Sequence, residues 1–247
     1  MRIQTDSFCT TGLLHQICQD YCLHAPKQIV LSDGCSSAEL SDFGSRLFCI
    51  EYLNSEYDDN IYVVADKVLN DLDLLKLPQE AGFATLFAVS AKSNGFLAKS
   101  LGDGYIAGKK HSGEIVIKSY SYSENMPWYP LYNALGYEAR IMPETNKFIE
   151  DNEEMDITYG MIPQMTLFDY HTYHTVAIFS DGVDTFQDKN GKLCLEDTID
   201  KLMKFPLYNG EFVQRRCIKQ LKEWKEQGFI NYDDFSMAAI HLEVEDV

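Results

Sequence analysis

Three aspartates stand where apolar, strand-like runs begin or end: Asp33 after KQIVLS, Asp181 after HTVAIFS, and Asp233 before DFSMAAIHL. Glycine follows the first two, marking a turn at each strand's end. Apolar strands pack centrally, so carboxylates at their ends can meet at one edge of the core. Gathered there unpaired, they would repel one another and retain protons unless a hard divalent cation neutralised them. One Asp-Gly is an ordinary turn dipeptide; the specificity lies in the three aspartates together. Other chemistries find less support. No cysteine stands in a CxxxxxR phosphate loop, and GCSS after Asp33 does not fit a DxDxT nucleophile motif. His111, His171 and His174 lie at loop and strand-edge spacings that suit no metal site.

The elements that must position these aspartates can be read in outline. Residues 27–33 predict a buried strand, and from Ser36 the recurrence of Leu40, Phe43, Gly44, Leu47, Ile50 and Leu53 predicts a helix. A second helix is expected over Asn60 to Leu77, with Val64, Val68, Leu72 and Leu75 as its stripe and Pro78 as its stop. Strands are expected at Ala84 to Ser90, Gly95 to Leu101, Tyr105 to Ala107 and Ile115 to Lys118. The first three are separated by the turn sequences SNG and GDG, which imply antiparallel pairing. Residues 119–172 show no sustained period and read as irregular strands and a surface insertion. Beyond the strand ending at Ser180, helices are expected over Leu195 to Lys204 and Gly210 to Gln227. Asn209 is the expected N-cap of the latter, Val213, Cys217, Leu221 and Trp224 its stripe, and Gly228 its stop. A last strand runs from Phe235 to Leu242. This order predicts one α+β domain over residues 1–247, with helices covering sheet faces.

Composition narrows the function. A formal net charge of −17 argues against nucleic acid and against anionic membrane surfaces, both of which are held by clustered Lys and Arg. No run approaches the roughly 20 apolar residues of a membrane span, and MRIQTDSFCTTG lacks a signal-peptide pattern, so a cytoplasmic protein is expected. Seven cysteines without CxxC spacing indicate neither a disulfide framework nor a zinc site.

Taken in order, CQDYC, VLSDGCSSAELSDFGS, GFATL, LGDGYIA, VAIFSDGVD and NYDDFSMAAI resemble the motif series of the protein phosphatase 2C family, the metal-dependent Ser/Thr phosphatases, especially its compact bacterial branch. The resemblance spans residues 12–243 and is poorest in the middle. It implies a four-layer αββα sandwich of two antiparallel sheets flanked by helices, with two Mg²⁺ or Mn²⁺ ions at one end. By that likeness Asp33 bridges both ions, Gly34 offers its carbonyl oxygen, and Asp181 and Asp233 are further ligands. Asp103 matches a position that helps hold a third, weaker ion, and a hairpin-turn role suits it equally. Asp20 matches the residue that orients metal-bound water. His15 stands where eukaryotic members place a phosphate-gripping Arg, and an exposed loop histidine is the plainer reading of it. Gln19 replaces a frequent Glu, and Asp234 stands where Asn is more usual, which leaves Asp233 and Asp234 both open as the ligand. Gly44 and Ser45 match a close-packed helix position.

The implied reaction is in-line hydrolysis of phosphoserine and phosphothreonine by a water between the two metals, with no phosphoenzyme. The implied partners are a phosphorylated protein substrate and a cognate Ser/Thr kinase. In relatives a flap influences substrate choice, which directs attention to residues 119–172. The departures at His15 and Gln19 keep a second reading in view, a non-catalytic phosphoprotein-binding scaffold on the same fold. A small-molecule or nucleotide phosphatase has neither a basic pocket nor a purine-binding motif to support it.

Overall fold

A computed structural model describes residues 2–55 and 60–243. Two antiparallel sheets face each other. The first runs β1 (Arg2–Thr10), β15 (Phe235–Glu243), β11 (Tyr173–Phe179), β6 (Gly104–Lys110), β7 (Ile115–Tyr122), β8 (Phe148–Glu150) and β9 (Glu153–Met155). The second runs β10 (Gln164–Asp169), β5 (Gly95–Leu101), β4 (Leu86–Ala91), β3 (Gln28–Ser32) and β2 (Tyr21–Ala25). A small sheet of β13 (Gly191–Lys192), β12 (Phe186–Asp188) and β14 (Ile230–Asn231) lies apart. Helix α1 (Ser41–Asn54) packs on β2 and β3, with α2 (Ile61–Leu75) against α1. Helix α6 (Phe212–Gln227) covers β1 and β15, with α5 (Leu195–Leu202) beside it. Short helices α3 (Pro130–Ala134) and α4 (Ile157–Gly160) lie between β7 and β10. The architecture is the expected α+β sandwich of two antiparallel sheets between helices.

The period-2 alternation of strand side chains builds both cores. On β11 and β15, Val176, Ile178, Ala238, Ile240 and Leu242 face the other sheet, while Ala177, Phe179, Met237 and Ala239 face α5 and α6. Each large side chain so buried contributes about 1.5–3 kcal/mol. Because β11 and β15 are antiparallel and pair Phe179 with Met237, the end of one and the start of the other share an edge. Pairing of Phe179 with Tyr105 brings the start of β6 to that edge as well.

Four expectations differ from what folds. Helix α1 starts at Ser41, and its buried face is Ser41, Gly44, Ser45, Phe48, Cys49 and Tyr52, whereas Leu40, Phe43 and Ile50 are exposed. Close approach selects small residues there: a Cβ on Gly44 would lie 2.2 Å from the Ala81 carbonyl oxygen, so this face meets the turn at 79–82. The GDG sequence is not a hairpin turn, because β5 and β6 belong to different sheets. Gly102 and Gly104 have φ of +112° and +141°, which lets the chain cross between sheets at Asp103. Residues 119–172 are irregular but not superficial; Trp128, Leu131 and Phe148 are fully buried in the main core, and β10 completes the second sheet.

The fourth difference is the start of α6, which is not capped by Asn209. Buried Asp6, on β1, accepts hydrogen bonds from the Val213 and Gln214 amides at 2.6 and 3.0 Å, so the orphan N–H groups of the helix are satisfied from across the sheet. Asp6→Ala is therefore expected to cost about 2 kcal/mol and to lower Tm by roughly 4–8 °C. Calorimetry showing an unchanged Tm would remove the capping role.

Candidate metal centre and active site

Asp33, Gly34, Asp103, Asp181, Asp233 and His15 line one cavity of about 310 Å³ at the sheet edge where β3 and β11 end and β6 and β15 begin. Asp33 is held by backbone on both sides: its amide donates to Thr85 Oγ1 at 3.1 Å, and its carbonyl accepts from the Thr85 amide at 2.8 Å. Gly34 is wedged between the chain at Gln19 and the first turn of α1. Its amide donates to the Gln19 carbonyl at 3.1 Å, and an added Cβ would lie 2.8 Å from that same oxygen and from the Ser41 carbonyl oxygen. Asp181 opens a 3₁₀ turn at Asp181–Asp184. That turn is tied to β15 through the Ser180 amide on the Ser236 carbonyl at 3.2 Å and the Asp233 amide on Thr185 Oγ1 at 3.2 Å.

Asp20 lies behind this cavity and is almost completely buried. Its Oδ2 has no hydrogen-bond partner, an orphaned buried acceptor. The electrostatics are those of an unneutralised cluster. Burial, opposed in part by the neighbouring Ser180, Asp33 and Ser236 groups, pushes the Asp20 carboxyl up to about 7, and Asp181 adds to the rise. Burial and then the charge of Asp181 push Asp103 to about 8. Asp33 is raised by burial and then by Asp20, Asp181 and Asp103; Asp181 is raised by burial and then by Asp233. Neither Lys nor Arg lines the cavity among the described residues.

Asp233 and Asp234 are separated by the structure. Asp233 lines the cavity, whereas buried Asp234 turns toward the loop that joins β1 and β2 and accepts from the Gly12 amide at 2.8 Å and the Gln19 amide at 2.6 Å. His15 Nδ1 stands 2.9 Å from Asp234 Oδ2 and 3.5 Å from Asp233 Oδ1, ion-pair distances at which the N–H direction misses good hydrogen-bond geometry. Burial alone would lower the His15 pKa, but Asp234, Asp233 and Asp20 outweigh it and the net shift is upward, favouring the cation.

All seven residues singled out from the sequence thus fall at one end of the sandwich: six line the cavity and Asp20 lies behind it. The sequence carried no signal for three others on the wall, Asn125, Pro127 and Tyr129, which come from the aperiodic stretch after β7. Nor did it mark Thr85 as the anchor of Asp33. Among the described residues no three His, Cys, Asp or Glu side chains are drawn together closely enough to hold an ion as they stand; the carboxyls share a cavity rather than a common contact point. Four of the potential donors are nonetheless carboxylates, with an orphaned buried oxygen and a glycine carbonyl beside them, which suits a hard divalent cation. The lining holds one thiol, Cys35, and one imidazole, His15, against four carboxylates, so oxygen donors predominate.

The family model described as protein phosphatase 2C matches residues 15–224. Among solved structures the chain is similar to the serine/threonine phosphatase Stp1 from Staphylococcus aureus, at 12% identity and a TM-score of 0.60 over 99% of this chain and 96% of that one. It is similar to the catalytic domain of the serine/threonine protein phosphatase PstP in complex with two manganese ions, at 12% identity and a TM-score of 0.57 over 97% of both chains. A third is the PPM Ser-Thr phosphatase MsPP from Mycobacterium smegmatis in complex with cacodylate, at 15% identity and a TM-score of 0.58 over 98% of this chain and 100% of that one. No curated relative matches the chain by sequence. At such identities the structural likeness is one of fold.

Proposed function

The chain belongs to the protein phosphatase 2C family, and from that premise we propose that it hydrolyses phosphoserine and phosphothreonine in proteins, using two Mg²⁺ or Mn²⁺ ions held in the acidic cavity. The observation that carries this reading is the meeting of Asp33, Asp103, Asp181 and Asp233 around one cavity that, among the described residues, neither Lys nor Arg lines. Asp33, Asp181 and Asp233 would hold the ions together with the Gly34 carbonyl, and Asp103 would serve a weaker third position. When bound, such ions supply Lewis-acid withdrawal of charge from the phosphoryl oxygens and a nucleophilic water near neutral pH.

The protein's own groups have distinct tasks. Asp20, with its free Oδ2 behind the cavity, is a hydrogen-bond acceptor that orients the attacking water. His15, biased toward its cation, stands on the wall and meets the negative charge of the phosphate as a single donor rather than as a bidentate fork. Asp234 acts on the substrate only indirectly, by fixing the loop that carries His15. No side-chain nucleophile is required, so no phosphoenzyme forms. The substrate is a phosphorylated protein in an intracellular signalling exchange with an opposing kinase.

A titration of the metal-free chain with Mn²⁺ tests the metal assignment without reference to turnover. We expect calorimetry to count at least two ions per chain. Tm should rise with Mn²⁺ concentration as RT ln(1 + [L]/Kd) requires for each site, by a stabilisation of about 2.7 kcal/mol per ion at a hundredfold excess over Kd. Because protons compete for the same carboxyls, affinity should fall as pH is lowered from 8 to 5. No heat of binding and no Tm change would remove the metal centre.

A further inference from the structure

A second depression of about 290 Å³ adjoins the acidic cavity and shares His15 and Ser36 with it. Three exposed aliphatic side chains stand among polar ones on its walls: Leu14 and Ile17 from the loop between β1 and β2, and Leu40 before α1, are 71, 60 and 44% exposed, with Gln16 and Gln19 beside them. Asp42 lies at its rim. The loop that presents Leu14 and Ile17 is firmly seated. Leu13 and Leu14 donate their amides to the carbonyls of Asn231 and Tyr232 at 3.0 Å, Gly12 and Gln19 donate to Asp234, and Gln19 Nε2 donates to Ser41 Oγ at 2.9 Å. Leu40 has φ of +62°, a conformation that branched side chains adopt only at a cost, and so holds a large apolar side chain where glycine or asparagine would be at ease. Exposed aliphatics on an anchored loop, facing a strained leucine across a groove that opens into the reaction cavity, are a built surface rather than a frayed one.

We propose that this groove is a specificity subsite that takes a large apolar side chain a few positions from the phosphorylated residue of the substrate protein. The inference rests on the phosphatase reading for what occupies the neighbouring cavity. Continuity through His15 and Ser36 places the occupant on the same chain as the phosphate. The groove is filled from the substrate's side, so it reads sequence around the phosphosite, whereas the acidic cavity reads only the phosphate.

The test uses binding, so that it does not depend on catalysis. A phosphonate analogue of a phosphothreonine peptide, which cannot be hydrolysed, is prepared as a matched set carrying either Leu or Ser at single positions within four residues of the phosphonate. With Mn²⁺ present, at least one Leu peptide should bind about tenfold more tightly than its Ser partner. Leu14→Ser with Ile17→Ser should reduce that ratio to near one without changing p-nitrophenyl phosphate turnover. Leu40→Asn, which suits the left-handed backbone and should fold at least as well, should reduce the ratio too. Equal binding of every Leu and Ser pair by the parent protein overturns the groove as a subsite. So does an apolar surface consumed by self-association, seen as a parent dimer that the double variant converts to monomer with no peptide preference in either. Absence of p-nitrophenyl phosphate turnover by the parent counts against the phosphatase reading instead, and the affinity ratio still decides the groove.

Discussion

Asp181→Asn is expected to lower turnover of a phosphothreonine peptide by about 10³-fold, a barrier increase of about 4 kcal/mol at about 1.4 kcal/mol per decade. The fold should survive. Asn has nearly the same shape as Asp, and the local backbone is fixed by Ser180 on Ser236 and by Val183 on Ser180 rather than by the carboxylate. Without metal the variant should be more stable than the parent at alkaline pH, and the sign follows from the carboxyls around it. Asp20, Asp33, Asp103 and Asp181 all have folded pKa values raised above the unfolded one. A raised pKa gives stability that is fully present below the unfolded value near 4 and lost as pH rises through the folded value, about 7 for Asp20 and about 8 for Asp103. Removing one charge relieves its neighbours. In chelator, then, the Tm advantage of Asp181→Asn should be present at pH 8 and absent at pH 4. Near-parental turnover in the variant would remove Asp181 from the reaction.

Asp234→Ala should damage the protein differently. It strips the acceptor from two main-chain amides, Gly12 and Gln19, and removes the carboxylate 2.9 Å from His15, all at a buried position. At about 1–3 kcal/mol for each unsatisfied amide, the loss is about 3 kcal/mol, or roughly 6–12 °C in Tm. Turnover should fall with it, because the loosened loop carries His15 and supplies the Gln19 carbonyl that receives the Gly34 amide. Asp234→Asn keeps one acceptor and should cost less than half as much. If calorimetry finds the alanine variant as stable as the parent, the loop is not held by this residue.

How far the site could be read in advance depended on how local its signals are. Asp33 and Asp181 end strands whose apolar runs and Asp-Gly turns lie within a few residues, so strand, turn and carboxylate are visible together. Asp20 and His15 carry no such pattern, and only the order of motifs singled them out. The resemblance named Asp233 while leaving Asp234 open, and the task of Asp234 was not legible, because it finds its partners 222 and 215 residues away at Gly12 and Gln19. Helix α1 misleads in part for a packing reason: its buried face needs Gly44, Ser41 and Ser45 for close approach, so Leu40, Phe43 and Ile50 face out while Leu47 and Leu53 of the expected stripe pack against the core. Asp103 sits in a sequence that suits a hairpin, yet the two flanking strands separate into opposite sheets, a choice made by tertiary packing. The stretch after β7 buries Trp128 and Phe148 without any repeating period, and so its cavity residue Tyr129, stacked on Phe83 with ring centroids 5.9 Å apart, left no trace in the pattern.

The central claim, a metal-dependent protein phosphatase centred on these aspartates, is tested most directly by phosphate release from a phosphothreonine peptide. The purified chain would be supplied with Mn²⁺, with Mg²⁺ or with EDTA, beside Asp181→Asn as the matched control. Steady release is expected with Mn²⁺ or Mg²⁺, none above background in EDTA, recovery when metal is restored, and loss in the variant. Release that persists in EDTA, or none with any metal from protein shown to be folded and to bind Mn²⁺, would contradict it.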